Sequence, residues 1–372
     1  MTDSELRLFD GHNDALLDLS DETGSGRSFF ERSEAGHLDL PRAREANLGA
    51  GLFAVFVPNE DYEYERVETD EGHEMDLPPA VGHERAKSFT YDALARLHRI
   101  AAESDGASAS EASGDSSVQR TDGAVRVVGE YDDLEACLDA DDAGPVAAIP
   151  HLEGAEAVAP DLSNLDFLHA AGVRSVGPVW SRPNEFGHGV RPEYPGTPDT
   201  GPGLTPAGRD LVRGCNERGI LVDLAHATAT GFRDAAEVST DPLVVSHAGV
   251  NELCPASRNL TDAQLDAVAD SGGLVGITFA TGHLRPDGRN DPDDPTPVST
   301  LVDHVEYVAD RVGVEHVALG SDFDGATVLD SVGDATGLPD VIAAVERRGF
   351  GDEAVRAIAR DNWLRVIRET WE

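Results

Sequence analysis

Eight short apolar, β-rich runs recur along this chain, and no other feature limits its fold so tightly. They are Leu6–Asp10, Ala50–Val57, Val146–Pro150, Val173–Val179, Ile220–Leu224, Pro242–Ser246, Leu274–Phe279 and His316–Gly320. Most lack the in–out alternation of a half-exposed strand, so they predict strands buried on both faces, as in parallel sheets. Helical patterns lie between most of them, among them Leu162–Ala171, Pro206–Arg218, Asp262–Ser271, Ser299–Val312 and Glu353–Glu369. This alternation predicts an α/β fold, a TIM-like (β/α)8 barrel rather than an open doubly wound sheet. A barrel of this kind accounts for residues 1–372 as a single domain. Two stretches interrupt the pattern. Glu103–Gly123, rich in Ser, Ala, Gly and Asp, reads as a mobile low-complexity insertion, and Val125–Val128 after it as an added edge strand. Pro192–Gly203, with four prolines and three glycines, reads as a loop.

Charge narrows the partners. The chain carries 70 acidic and 29 basic side chains, a net charge of −41, with Lys87 its single lysine. Such a surface repels nucleic acid and anionic membranes, which need basic footprints. It fits a halophilic protein in a salt-rich cytoplasm, where concentrated cations screen the self-repulsion. No run of apolar residues is long enough for a membrane span, and Met1-Thr2-Asp3-Ser4-Glu5 has no signal-peptide pattern, so a cytoplasmic location is expected. Cys137, Cys215 and Cys254 are odd in number and at no metal-ligand spacing, which predicts buried, reduced thiols.

The residues that carry chemistry fall at the C-terminal ends of the expected strands, the face on which barrels build their sites. The first strand ends in Asp10-Gly11-His12-Asn13-Asp14, the third in Pro150-His151-Leu152-Glu153-Gly154. The fifth gives Asp223-Leu224-Ala225-His226, the sixth Val245-Ser246-His247, and the eighth Gly320-Ser321-Asp322-Phe323-Asp324-Gly325. A lone His-x-Asp is a weak signal, but titratable groups at five strand ends are costly to bury without partners. Neutral imidazoles suit zinc, and a carboxylate can bridge two ions. A workable arrangement puts His12 and Asp14 on one ion, His226 and His247 on a second, and Glu153 between them.

These motifs together resemble the membrane dipeptidase (renal dipeptidase) family of the metal-dependent amidohydrolase superfamily, in order and from Asp10 to Asn362-Trp363. The resemblance implies a zinc-dependent dipeptidase with two Zn2+ per chain, acting on a small dipeptide through a metal-bridging hydroxide, and a homodimer. It implies that His12, Asp14 and Glu153 ligate one ion and Glu153, His226 and His247 the other. Arg258, in Ala256-Ser257-Arg258-Asn259, matches the arginine that binds the substrate carboxylate, and Asp322 the aspartate that meets the free amine and handles protons. One position departs: Trp180 stands where the family often has a substrate-binding histidine after strand four. His188 and His151 are candidate replacements, against a solvated or supporting role for each. His37, His73, His83, His98, His169, His283, His304 and His316 are expected on loops or helical faces, and Asp324 as a supporting partner or loop cap.

Two rivals stand beside this reading. Another amidohydrolase, acting on N-acyl amino acids or related amides, would usually carry His-x-His on strand one, and a bridging lysine is excluded because Lys87 lies far from any strand end. A non-catalytic barrel that only binds would be expected to lose one or more ligands, and all five are present. The halophilic reading predicts that thermal stability and activity rise together as KCl is raised toward molar concentration. Full stability in dilute buffer, unchanged by salt, would count against it.

Overall fold

In the computed structural model, which describes residues 6–60, 62, 66–69, 72–106, 123–141, 144–290 and 293–372, all eight expected strands form. The chain starts with β1 (Leu8–Asn13) and β2 (Leu48–Phe56), followed by a small hairpin of β3 (Arg66–Glu68) and β4 (His73–Met75). Next come β5 (Val125–Val127), β6 (Val146–Glu153) and β7 (Ser175–Gly177), then the two-residue strands β8 (Pro183–Asn184), β9 (Gly187–His188) and β10 (Glu193–Tyr194). The last four are β11 (Leu221–Val222), β12 (Val244–Ala248), β13 (Leu274–Ile277) and β14 (Val317–Leu319).

Parallel pairing runs β1-β2-β6-β7-β11 in one arc and β12-β13-β14 in a second. The arcs meet at two seams, where the parallel bridges Asp223↔Val244 and Asn13↔Phe323 close the barrel. The added strand β5 takes the N-terminal half of one edge of β6, Val146–Ala148, while β7 takes its C-terminal half, His151–Glu153. The expected Val125–Val128 strand is therefore present, as a parallel partner at the base of the barrel. The loop expected at Pro192–Gly203 contains β10, which pairs antiparallel with β4. The insertion expected at Glu103–Gly123 begins on the end of the helix His83–Gly106; residues 107–122 lie outside the described residues. No helix among the described residues is long and apolar enough to cross a membrane.

Two-residue periodicity sorts the strand side chains. Phe9, Ala50, Leu52, Ala147, Ile149, Leu221, Val244, Leu274 and Ala318 form an inner cluster, separate from the larger outer core between strands and helices. The inner cluster is sealed below by the C-terminal helix Asn362–Trp371. Trp363 is fully buried, stacks on Phe9 at 5.1 Å between centroids and donates its indole N–H to the Leu319 carbonyl at 3.1 Å. The helical pattern expected over Glu353–Glu369 is interrupted within its span: Asp352–Arg356 passes through a π-helical turn at Ala357–Asp361 before the C-terminal helix. That wider turn is pinned by Arg360, which reaches the Leu138 carbonyl and Asp139, both at 2.8 Å. Replacing Trp363 by Ala should destabilise the fold by about 3–5 kcal/mol through lost burial and the cavity left behind. Urea denaturation checks it, and a loss under ~1 kcal/mol would mean the helix is not the barrel's plug.

Candidate metal centre

The ends of β1, β6, β11, β12 and β14 each deliver one or two side chains to the mouth of the barrel. Along β6, Ala147, Ile149, His151 and Glu153 share the inner face, so the strand's own pleat carries Glu153 to the top. Its Oε1 lies 2.9 Å from His226 Nε2 and 3.6 Å from both His12 Nε2 and His247 Nε2. His226 and His247 approach Nε2 to Nε2 at 3.2 Å. His12 Nε2 is 3.2 Å from Asp14 Oδ2, although Asp14 has left extended backbone and stands at the start of the short helix Ala15–Asp18 without a side-chain cap bond to it. Asp322 joins His12 and Asp14 in a second potential ligand group. The five residues expected at the metal site and Asp322 are therefore gathered in one buried cluster.

Supports beneath the cluster fix which nitrogen faces inward. His226 Nδ1 bonds Ser181 Oγ at 2.9 Å and His247 Nδ1 bonds Ser246 Oγ at 2.8 Å, which turns each Nε2 toward Glu153. His151 lies below, fully buried, with Nδ1 on Ser175 Oγ at 2.9 Å and Nε2 3.4 Å from Asp223. It underlies the centre from within the barrel, and with His12 and Asp223 it forms a further group of potential ligands.

The electrostatics are those of a site built for cations. Burial raises the Glu153 carboxyl well above its ordinary range, and Asp14 adds to the effect. Burial opposes charge on His12, yet Glu153 and Asp14 outweigh it and push its pKa up to about 10. Burial, then Arg258 and then His12, hold His226 well below its ordinary value. Burial, then His12 and then Arg258, do the same for His247. Asp14 Oδ1 is buried without a hydrogen-bond partner among the described residues. Imidazole nitrogens and carboxylate oxygens facing one another, with an acceptor left bare, form a donor set that fits zinc-like ions.

Arg258 sits beside the cluster, with Nη2 3.2 Å from His226 Nε2 and Nη1 donating to the Ala225 carbonyl. It lines a cavity of about 230 Å³ together with Arg66, His73, Glu193, His283 and Asn290. His283, expected on a loop or helical face, lies on the short helix Thr281–Leu284, half-buried, and shares this cavity with Arg258. Its position after the end of β13, on the same face of the barrel, is the signal that could have marked it. Trp180 packs over the His226 ring at 5.6 Å, backed by Phe56 at 4.7 Å. His188 pairs with Pro183 in the β8–β9 hairpin, apart from the side chains gathered around Glu153. Asp324 accepts from the His37 amide and from Arg27 at 3.2 Å, so it caps a loop outside the cluster.

With this geometry in view, comparison with known proteins is decisive. The chain matches the description Membrane dipeptidase (Peptidase family M19) over residues 3–372. The chain belongs to the membrane dipeptidase family. A solved dipeptidase of this family shares 36% identity at a TM-score of 0.86, with 99% of each chain covered. A metallopeptidase from Rhodobacter sphaeroides, solved with a phosphinate mimic of the dipeptide L-Ala-D-Ala, gives the same identity and TM-score, covering 99% of this chain and 100% of that one. The dipeptidase tcpJ of Claviceps purpurea is 30% identical over 97% of this chain and 76% of its own length. As a member of the membrane dipeptidase family, this chain is a metal-dependent hydrolase of peptide bonds. Adding zinc to chelator-treated protein should raise its unfolding free energy by about 2.7 kcal/mol per site at a hundredfold excess over Kd. Glu153→Gln should abolish most of that gain; an equal response in the variant would remove Glu153 from the metal site.

Proposed function

We propose that the chain is a two-zinc dipeptidase in which His12, Asp14 and Glu153 hold one ion and Glu153, His226 and His247 the other. The observation that carries this reading is the single Glu153 oxygen faced by three imidazole Nε2 atoms at 2.9 to 3.6 Å. Bound there, the ions would polarise the scissile carbonyl and make water a nucleophile at neutral pH. The remaining work falls to the chain's own side chains.

Asp322 is the proton carrier. Burial, offset by His12 and reinforced by Asp14, pushes its pKa up to about 7 in the metal-free chain, and bound dications would favour its charged, proton-accepting form. Its carboxylate takes the proton of the attacking water and gives it to the departing amine. Arg258 supplies a planar, permanently charged fork for the substrate's terminal carboxylate. The cavity beside it receives the C-terminal residue, while the Trp180 ring walls the cluster on the His226 side. A carboxylate clamp and an amine-facing Asp322, held by one small site, restrict substrates to those with both termini close together. The Rhodobacter sphaeroides relative, solved with an L-Ala-D-Ala mimic, supports dipeptides with a C-terminal D-residue within the range. A second reading has its own support: Arg258 would recognise the carboxylate of an N-acyl amino acid equally well.

A hydrolysis panel of free dipeptides and N-acetylated amino acids, run before and after chelation with metal counted per chain, separates the two. Free dipeptides should be cleaved by the two-zinc form alone. Faster turnover of N-acetylated substrates, or activity indifferent to chelator, would overturn the proposal. Asp322→Asn should keep both metals and lose about 10²–10⁴ in kcat. If metal leaves instead, Asp322 is a ligand.

A further inference from the structure

The barrel carries its metal centre across two breaks. His12 and Glu153 lie on the first arc of strands and His226 directly follows it, whereas His247 belongs to the second arc and Asp322 follows its last strand. At each break the strand ladder is reduced to one bridge, Asp223↔Val244 at one seam and Asn13↔Phe323 at the other. With one bridge at each seam, backbone pairing contributes little to holding the arcs together, and side-chain contacts share the work of aligning them.

The same side-chain device sits at both seams. Asp223 accepts the Ser246 amide on Oδ1 at 2.8 Å and the Ser246 hydroxyl on Oδ2 at 2.5 Å. Asp10 accepts the Ser321 amide on Oδ1 at 2.8 Å and the Ser321 hydroxyl on Oδ2 at 2.8 Å. In each case one buried carboxylate grips the N–H and O–H of a single serine across the seam, and all four residues are at most 3% exposed. Each serine immediately precedes a working residue, Ser246 before His247 and Ser321 before Asp322. We infer that Asp223–Ser246 and Asp10–Ser321 are matched register clamps, positioning pairs that close the barrel and deliver His247 and Asp322 to the centre.

Hydrogen-bond accounting gives the two clamps different outputs. The Ser246 hydroxyl donates to Asp223, so it accepts from His247 Nδ1–H at 2.8 Å, and this leaves His247 Nε2 bare toward Glu153. Ser246 is also confined along its backbone: a Cβ at Gly276 or Gly320 would come within 2.0 and 1.9 Å of its carbonyl oxygen. At the other seam, the Ser321 hydroxyl proton faces Asp10 at 2.8 Å and the His12 carbonyl at 3.0 Å, its Oγ accepts the Phe323 amide at 3.1 Å, and the Asp322 amide donates to the His12 carbonyl at 3.0 Å. These bonds bracket Asp322, whose φ of 62° lies in the left-handed region that a non-glycine residue occupies only under restraint. The first clamp therefore serves a metal ligand, the second the proton carrier.

The inference rests on the metal and proton roles proposed above, so the parent holoenzyme is assayed alongside for metal content and dipeptide turnover. Those parent values test the functional reading; the clamps are tested by differences between Ser246→Ala and Ser321→Ala. Ser246→Ala should bind its second zinc about 10- to 100-fold more weakly, with an altered visible spectrum in the cobalt-substituted form and turnover recovered at high metal. Ser321→Ala should keep parental metal affinity and lose about 10- to 100-fold in kcat, with KM within about twofold and no recovery by added metal. In metal-free protein, amide exchange should rise locally at 244–248 in the first variant and at 317–322 in the second. Asp223→Asn and Asp10→Asn should repeat the split, whatever their effect on overall stability. Equal losses of midpoint in both serine variants, with no divergence between metal affinity and kcat and no local change in exchange, would overturn the clamps. Loss of metal from Ser321→Ala would overturn them as well.

Discussion

A buried carboxylate surrounded by imidazoles sets the terms for the rest of this structure. Glu153 is 5% exposed, and taking such a group from water costs several kcal/mol unless charge and hydrogen bonds replace what water gave. Its neighbours supply only part of that compensation. His12 is driven toward its charged form while His226 and His247 are held neutral, so the protein alone leaves the cluster unevenly satisfied. The arrangement makes sense as a receptacle for positive charge. It also explains the investment beneath it, where Ser181, Ser246 and Ser175 orient rings that would otherwise be free to turn.

Much of this was legible from residue order alone. Strands buried on both faces leave long apolar runs, so the eight strands could be read from composition and spacing, with ends shifted by a few residues. The gathering of His12, Asp14, Glu153, His226 and His247 could be anticipated because strand ends in a barrel converge whatever lies between them. What could not be read has a common physical character. β10 is two residues long inside a proline-rich segment, and its pairing with β4 is a tertiary choice that local propensity does not encode. The π turn at Ala357–Asp361 looks helical in sequence because its register slip depends on Arg360 finding the Leu138 carbonyl, far away in the chain. His283 looked ordinary because its significance is its nearness to Arg258, which only folding creates.

Arginine's use here follows from the same economy. Lys87 is the single lysine among 29 basic residues, and several arginines work inside the fold as hydrogen-bond forks more than as surface charge. Arg182 pairs with Glu156 at 2.7 Å, reaches Asn59 at 3.0 Å and lies over the Phe56 and Trp180 rings. One guanidinium thus ties the end of β6 to the segment that presents the tryptophan beside His226. A lysine's point charge could not make those contacts in one plane. The acidic excess stays largely outside, while the interior spends its few cations on geometry.

The stacking of Phe9 on Trp363 has a consequence for how the molecule comes into being. These rings belong to the first strand and to the C-terminal helix, so the barrel's interior is finished by a segment the ribosome delivers after all eight strands. During synthesis the earlier strands must wait with an open floor, and the apolar inner cluster stays wettable from below. A nascent chain of this design is therefore vulnerable to misassociation until its last helix emerges. Final closure of the barrel is an event that follows translation of Trp363.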